Sequence, residues 1–170
     1  MSLPKALVLV PTLLIGTTCA LFAAHSDVHE HNNGIPRLVA QALVGTAGFE
    51  PGVAAEWRFG PYHVLVRPEV FINEDSDVGF GASVGWELGF LDLPKRQAIT
   101  VGPRVVNHNS DDYGWGADAM AIWHFDLMPS QRSRHFLEVI GTVGVIEEDK
   151  NGDDDVEPAF SVGAGYGFQF

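Results

Sequence analysis

The chain predicts an all-β fold: an eight-stranded antiparallel β-barrel, wound up and down as a meander, whose strands cross a membrane. Three observations predict it. Apolar and polar residues alternate with a period of two through eight successive segments, which puts them on opposite faces of strands. The segments run to roughly ten residues, the length a tilted strand needs to cross a bilayer, and their even count returns both ends to one side. The polar face is rich in glycine (Gly79, Gly81, Gly85, Gly163, Gly165 and Gly167), which suits the crowded interior of a narrow barrel. No segment has the period of an amphipathic helix, and nothing marks a second domain.

The barrel is assigned to residues 37–170 of a 170-residue chain. Residues 1–24 read as a secretory signal, with Lys5 ahead of the apolar run Ala6 to Ala24 and small residues near its end. Pro11 and the polar Gly16-Thr17-Thr18 make this run a poor permanent transmembrane helix. Cleavage after Ala20, Ala24 or Ser26 fits equally well. The single cysteine, Cys19, lies inside the signal, so the exported protein is expected to hold no disulfide. Thr17 and Thr18 do not suit a lipoprotein cleavage box. Residues 25–36 form a polar, aperiodic leader rich in histidine, expected to be flexible. A formal charge of −12 argues against nucleic acid as a partner.

The first strand segment, Arg37 to Gly48, is the least regular, with Gln41 among apolar neighbours. Glu50-Pro51-Gly52 is expected to turn into the second, Val53 to Phe59, where Val53, Ala55, Trp57 and Phe59 oppose Glu56 and Arg58. After Gly60-Pro61, Tyr62 to Asn73 sets Val64, Val66, Val70 and Ile72 against Arg67 and Glu69; Pro68 predicts a local break there. Val78 to Phe90 alternates most cleanly and places Glu87 on the polar face. Gln97 to Asn107 carries Arg104 opposite Ile99, Val101 and Val105, with Pro103 weakening it. Tyr113 to Leu127 opposes Asp118 and His124 to a row that includes Trp115, Ala119 and Trp123. Arg134 to Ile146 sets Glu138 and Thr142 against Leu137, Val139 and Val143. An acidic loop, Glu147 to Glu157, is expected before the last strand. The outer loops are then Phe49 to Gly52, Asn73 to Asp77, His108 to Asp112 and Glu147 to Glu157.

A soluble secreted barrel that binds a small ligand shares the alternation. The membrane reading is favoured by the glycine-rich face and by aromatics gathered near strand ends. These are Trp57, Phe59, Tyr62, Phe90, Trp123, Phe125, Tyr166, Phe168 and Phe170 at one rim, and Phe80, Tyr113, Trp115 and Phe160 at the other. The last eleven residues, F-S-V-G-A-G-Y-G-F-Q-F, place Phe160, Val162, Ala164, Tyr166, Phe168 and Phe170 on one face. This ending resembles the C-terminal strand of bacterial outer-membrane barrels, whose terminal aromatic is read by the assembly machinery. The resemblance makes Tyr166, Phe168 and Phe170 the outer-membrane assembly signal. By pattern, length and terminal strand, Arg37 to Phe170 resembles the small eight-stranded outer-membrane proteins of the OmpA and OmpX type. That resemblance implies a closed barrel in the bacterial outer membrane, reached by export through the inner membrane. It implies outer-membrane lipid, lipopolysaccharide and the assembly machinery as partners, and no built-in chemistry. The short loops depart from the pattern, and the oligomeric state stays open.

Glu56, Arg58, Arg67, Glu69, Glu87, Arg104, Asp118 and Glu138 share the inward face and predict a charge network that fills the lumen. A narrow ion-conducting pore is the sharper alternative. No resident cofactor is expected. Two groups could hold a weakly bound divalent cation: His25, His29 and His31 in the leader, and Asp149, Asn151 and Asp153, whose spacing is similar to a calcium loop. Pro158 stands where the full calcium loop needs a bidentate glutamate. His108-Asn109-Ser110 faintly resembles the His-x-Ser element of outer-membrane lipid A deacylases, with Ser110 as nucleophile and His108 as base. Its register points His108 inward, and no acid is identifiable as its partner. The function expected is therefore a non-catalytic outer-membrane barrel with a structural, adhesion or surface-interaction role.

Overall fold

A computed structural model describes residues 36–60, 63–74, 76–89, 91, 93–94, 97–127, 134–150 and 153–169. The predicted signal, the leader histidines His25, His29 and His31, and also Asn151 and Phe170 lie outside the described residues. The described chain contains no helix. It forms eight strands: β1 (Arg37–Gly45), β2 (Gly48–Phe59), β3 (Val64–Ile72), β4 (Val78–Glu87), β5 (Gln97–Asn107), β6 (Tyr113–Asp126), β7 (Arg134–Lys150) and β8 (Asp153–Gln169). Each pairs antiparallel with the next, and β1 pairs with β8 to close the barrel. The all-β, eight-stranded, up-and-down expectation holds.

Two expected loops are strand instead. Glu50-Pro51-Gly52 lies inside β2, and the chain reverses earlier, at Thr46-Ala47, where Gly45 pairs with Gly48. The local turn signal loses because the two-residue period runs through it: Phe49, Pro51 and Val53 stay outward while Glu50 is buried. The acidic stretch Glu147 to Glu157 is the far end of a long hairpin, in which β7 and β8 pair as far as Lys150 against Asp153. Polar composition does not prevent pairing where two strands already run side by side. β1 stops at Gly45 opposite Ser161, so the tip of β8 presents a strand edge. Its run of acids and Pro158 discourage that edge from pairing with another chain.

Two prolines break ladders without shifting them. The β2–β3 register is constant from Gly52↔Phe71 to Phe59↔Val64 but skips Pro68 and the adjoining Arg67; Pro68 pairs on its other side with Ala82. Pro103 does the same between β4 and β5 while pairing with Ala119 of β6. Each proline lacks one N–H, and the barrel confines the loss to one neighbour.

The outward positions form a continuous apolar band. Val53, Val143 and Phe160 are 60 to 66 % exposed, and Leu38, Val70, Val105, Val139, Val162 and Tyr166 stand with them. No charged residue occupies an outward position between Phe49 and Phe59, between Val64 and Ile72, or between Trp115 and Phe125. The interior is more mixed than the polar face expected from alternation. Leu43, Leu65, Met120, Ile122 and Ile140 form one buried cluster, and Val39, Ala54 and Phe136 form another.

Candidate functional site: a charged lumen and its mouth

The barrel brings all eight predicted lumen residues together. Glu56, Arg67 and Glu138 are almost wholly buried; Arg58, Glu69 and Arg104 are buried; Glu87 and Asp118 are half-buried. They pair in three groups, one around each arginine. Arg58 Nη1 donates to Glu87 at 2.8 Å. Arg67 Nη1 donates to Glu56 and, at 2.9 Å, to Glu138. Arg104 donates from Nε to Glu69 at 2.5 Å and from Nη1 to Asp118 at 2.9 Å.

Two residues that the sequence reading did not assign to the network join these pairs. Gln41 accepts from Arg67 Nη2 at 2.5 Å and donates to Glu69 at 2.8 Å, linking β1 to β3. The irregularity of the first segment was its signal: an amide among apolar neighbours on the inward face. His124 lies 2.6 Å from Arg58 Nη2 through Nε2 and 3.0 Å from Glu138 through Nδ1. The path from Glu87 to Asp118 therefore runs through side chains of β1 to β7 without a gap. Charges taken this far from water cost several kcal/mol each unless paired, so the pairing is a condition of the fold.

The eighth strand makes the room. A Cβ on Gly165 would sit 2.8 Å from Val39 and 3.3 Å from a Glu138 oxygen; one on Gly167 would sit 2.0 Å from the Phe136 ring. The glycine-rich face is thus a space requirement of the lumen. Outward, Tyr166 contacts His135 through its hydroxyl, and the Phe168 ring lies 5.1 Å from the same imidazole.

At one mouth of the barrel, His108 is buried as its register predicts, and it has an acid after all. Glu50 Oε1 lies 2.5 Å from His108 Nδ1. The expected turn at Glu50-Pro51-Gly52 hid this partner. His108 and Ser110 both line a cavity of about 250 Å³ with Asn73, Glu74 and Tyr113. Ser110 Oγ is engaged with the backbone of Tyr113, accepting from its N–H at 2.9 Å and facing its carbonyl at 3.3 Å. Asp149 and Asp153 lie on the paired arms of the β7–β8 hairpin instead of in an open loop.

Comparison with protein-family models, with curated proteins and with solved structures returns no match to this chain.

Proposed function

We propose that the protein is an integral barrel of the bacterial outer membrane, OmpA/OmpX-like, with a plugged lumen and a structural, adhesion or surface-interaction role rather than a catalytic one. The observation that carries the reading is the outward apolar band wrapped around a buried ionic interior. Monomeric soluble proteins seldom expose a contiguous apolar surface of this kind, and a lipid contact accounts for it. On this reading the chain is exported by its N-terminal signal. It meets the assembly machinery through Tyr166, Phe168 and Phe170, and contacts outer-membrane lipid and lipopolysaccharide along the band.

Heat-modifiability tests it. Detergent-folded protein, run unboiled and boiled on a cold gel, should change mobility and give a β-type circular dichroism spectrum. A chain that stays soluble and monomeric without detergent overturns the membrane reading.

The plugged lumen makes a second prediction, that planar bilayers show no conductance and Arg104→Ala adds none. Steady conductance altered by Arg104→Ala would favour the narrow pore. The Glu50–His108 pair supports a hydrolase as the second reading, because it supplies the orienting acid that a His-activated serine needs. Ser110→Ala separates the two: loss of ester hydrolysis supports the enzyme, whereas an inactive parent chain supports the non-catalytic barrel.

A further inference from the structure

We propose that Glu56, His124 and Glu138 form an interior binding site for a divalent transition-metal cation. The three come from β2, β6 and β7, are buried, and each offers a ligand atom within 4.8 Å of the others. Metal–oxygen and metal–nitrogen bonds of about 2.1 Å require only a modest contraction of that cluster.

Each residue also holds an unpartnered polar atom. Glu56 Oε2, His124 Nδ1 and Glu138 Oε1 are buried without a hydrogen bond. The 3.0 Å approach of His124 Nδ1 to Glu138 Oε1 is an ion-pair distance without hydrogen-bond alignment. The remaining carboxylate oxygens, Glu56 Oε1 and Glu138 Oε2, are both held by Arg67. Arg67 therefore fixes the two carboxylates while their second oxygens stay available, which is how outer-shell groups orient metal ligands.

The charge balance points the same way. Arg58, Arg67 and Arg104 face Glu56, Glu69, Glu87, Asp118 and Glu138, so the carboxylates exceed the guanidiniums by two. Arg37 at the start of β1 and Asp126 at the end of β6 add one of each sign. One divalent cation cancels the excess. Two carboxylates with one imidazole suit zinc, manganese, iron(II) or cobalt(II) better than calcium or magnesium, which prefer all-oxygen shells.

The histidine sets the terms of binding. Arginine can only donate, so its 2.6 Å contact makes His124 Nε2 an acceptor and puts the ring hydrogen of the neutral imidazole on Nδ1. A cation at Nδ1 requires the other tautomer: the ring hydrogen leaves Nδ1, whose freed lone pair holds the metal, and Nε2 carries the hydrogen instead. Arg58 Nη2 then turns away, and Arg58 keeps Glu87, already at 2.8 Å from Nη1. The number of protons on the imidazole does not change; the metal exchanges one tautomer for the other.

The test is cobalt(II) retention. The full chain carrying His25→Ala, His29→Ala and His31→Ala, which removes the competing leader imidazoles, is refolded in detergent with cobalt(II). Refolding with the ion present removes any barrier to entry. A brief chelator wash then strips surface acids, including those of the β7–β8 hairpin. One cobalt per folded chain, with a visible ligand-field band, is the expected result. Glu56→Gln, an isosteric change that leaves Arg67 an acceptor, should lower retention at least tenfold, as should His124→Gln; Glu50→Gln, at a buried carboxylate outside this network, should not. If His124→Gln does not fold, Glu56→Gln decides. A folded parent chain that retains no cobalt overturns the site. So does equal retention by the parent and Glu56→Gln, which would assign the ion to surface carboxylates.

Discussion

β8 differs from the other seven strands in what it gives the lumen. Each of β1 to β7 contributes at least one side chain to the charged chain, from Gln41 on β1 to Glu138 on β7. β8 turns Gly163, Gly165 and Gly167 to the same space, flanked by the hydroxyl of Ser161, 2.8 Å from Thr142, and the buried Gln169. The difference teaches that the interior of an eight-stranded barrel is a fixed volume. Three guanidiniums and the Phe136 ring fit inside because β8 has given up its side chains there, and β4 has done so at Gly79, Gly81 and Gly85.

The comparison is broken most severely from the charged side. Arg67→Met leaves Glu56 and Glu138 buried without their cation and should cost about 3–5 kcal/mol in urea unfolding of the folded barrel. Adding Glu56→Gln and Glu138→Gln should recover most of that loss; no recovery would mean that Arg67 matters for its volume and not its charge.

Next comes the outer face of β8. Ala164 is exposed in mid-strand between Ala42 and Val139. Ala164→Arg should cost about 2–4 kcal/mol in a bilayer, measured by unfolding from lipid vesicles. A neutral result would remove lipid from that face. On the inner face, Gly167→Val drives a branched side chain into the Phe136 ring and should cost about 1–3 kcal/mol. Phe136→Leu should soften the penalty, and a double-mutant cycle should show the coupling; additive losses would mean that the glycine serves the backbone rather than the ring. The smallest effect belongs to the hydroxyl pair. Thr142→Val leaves Ser161 without its partner and should cost about 0.5–1.5 kcal/mol, read from the same unfolding curves.

The sequence by itself determined which residues face inward, because a strand alternates its side chains and the alternation survives in every segment. β5 is predicted from Gln97 to Asn107 and found there, and Glu56, Arg58, Arg67, Glu69, Glu87, Arg104, Asp118 and Glu138 all enter the lumen. Turns were legible where polar residues cluster between strands, as at Asn73 to Asp77. They were misread where a turn-forming triplet such as Glu50-Pro51-Gly52 keeps the strand period, because pairing with β1 outweighs the local preference. Only the tertiary structure decided who meets whom. Arg58 and His124 lie 66 residues apart, and Glu50 and His108 58 apart; no local pattern encodes such pairs, which arise when closure turns seven strands toward one axis. The same closure made β8's glycines necessary, since the space they leave is claimed by side chains of distant strands.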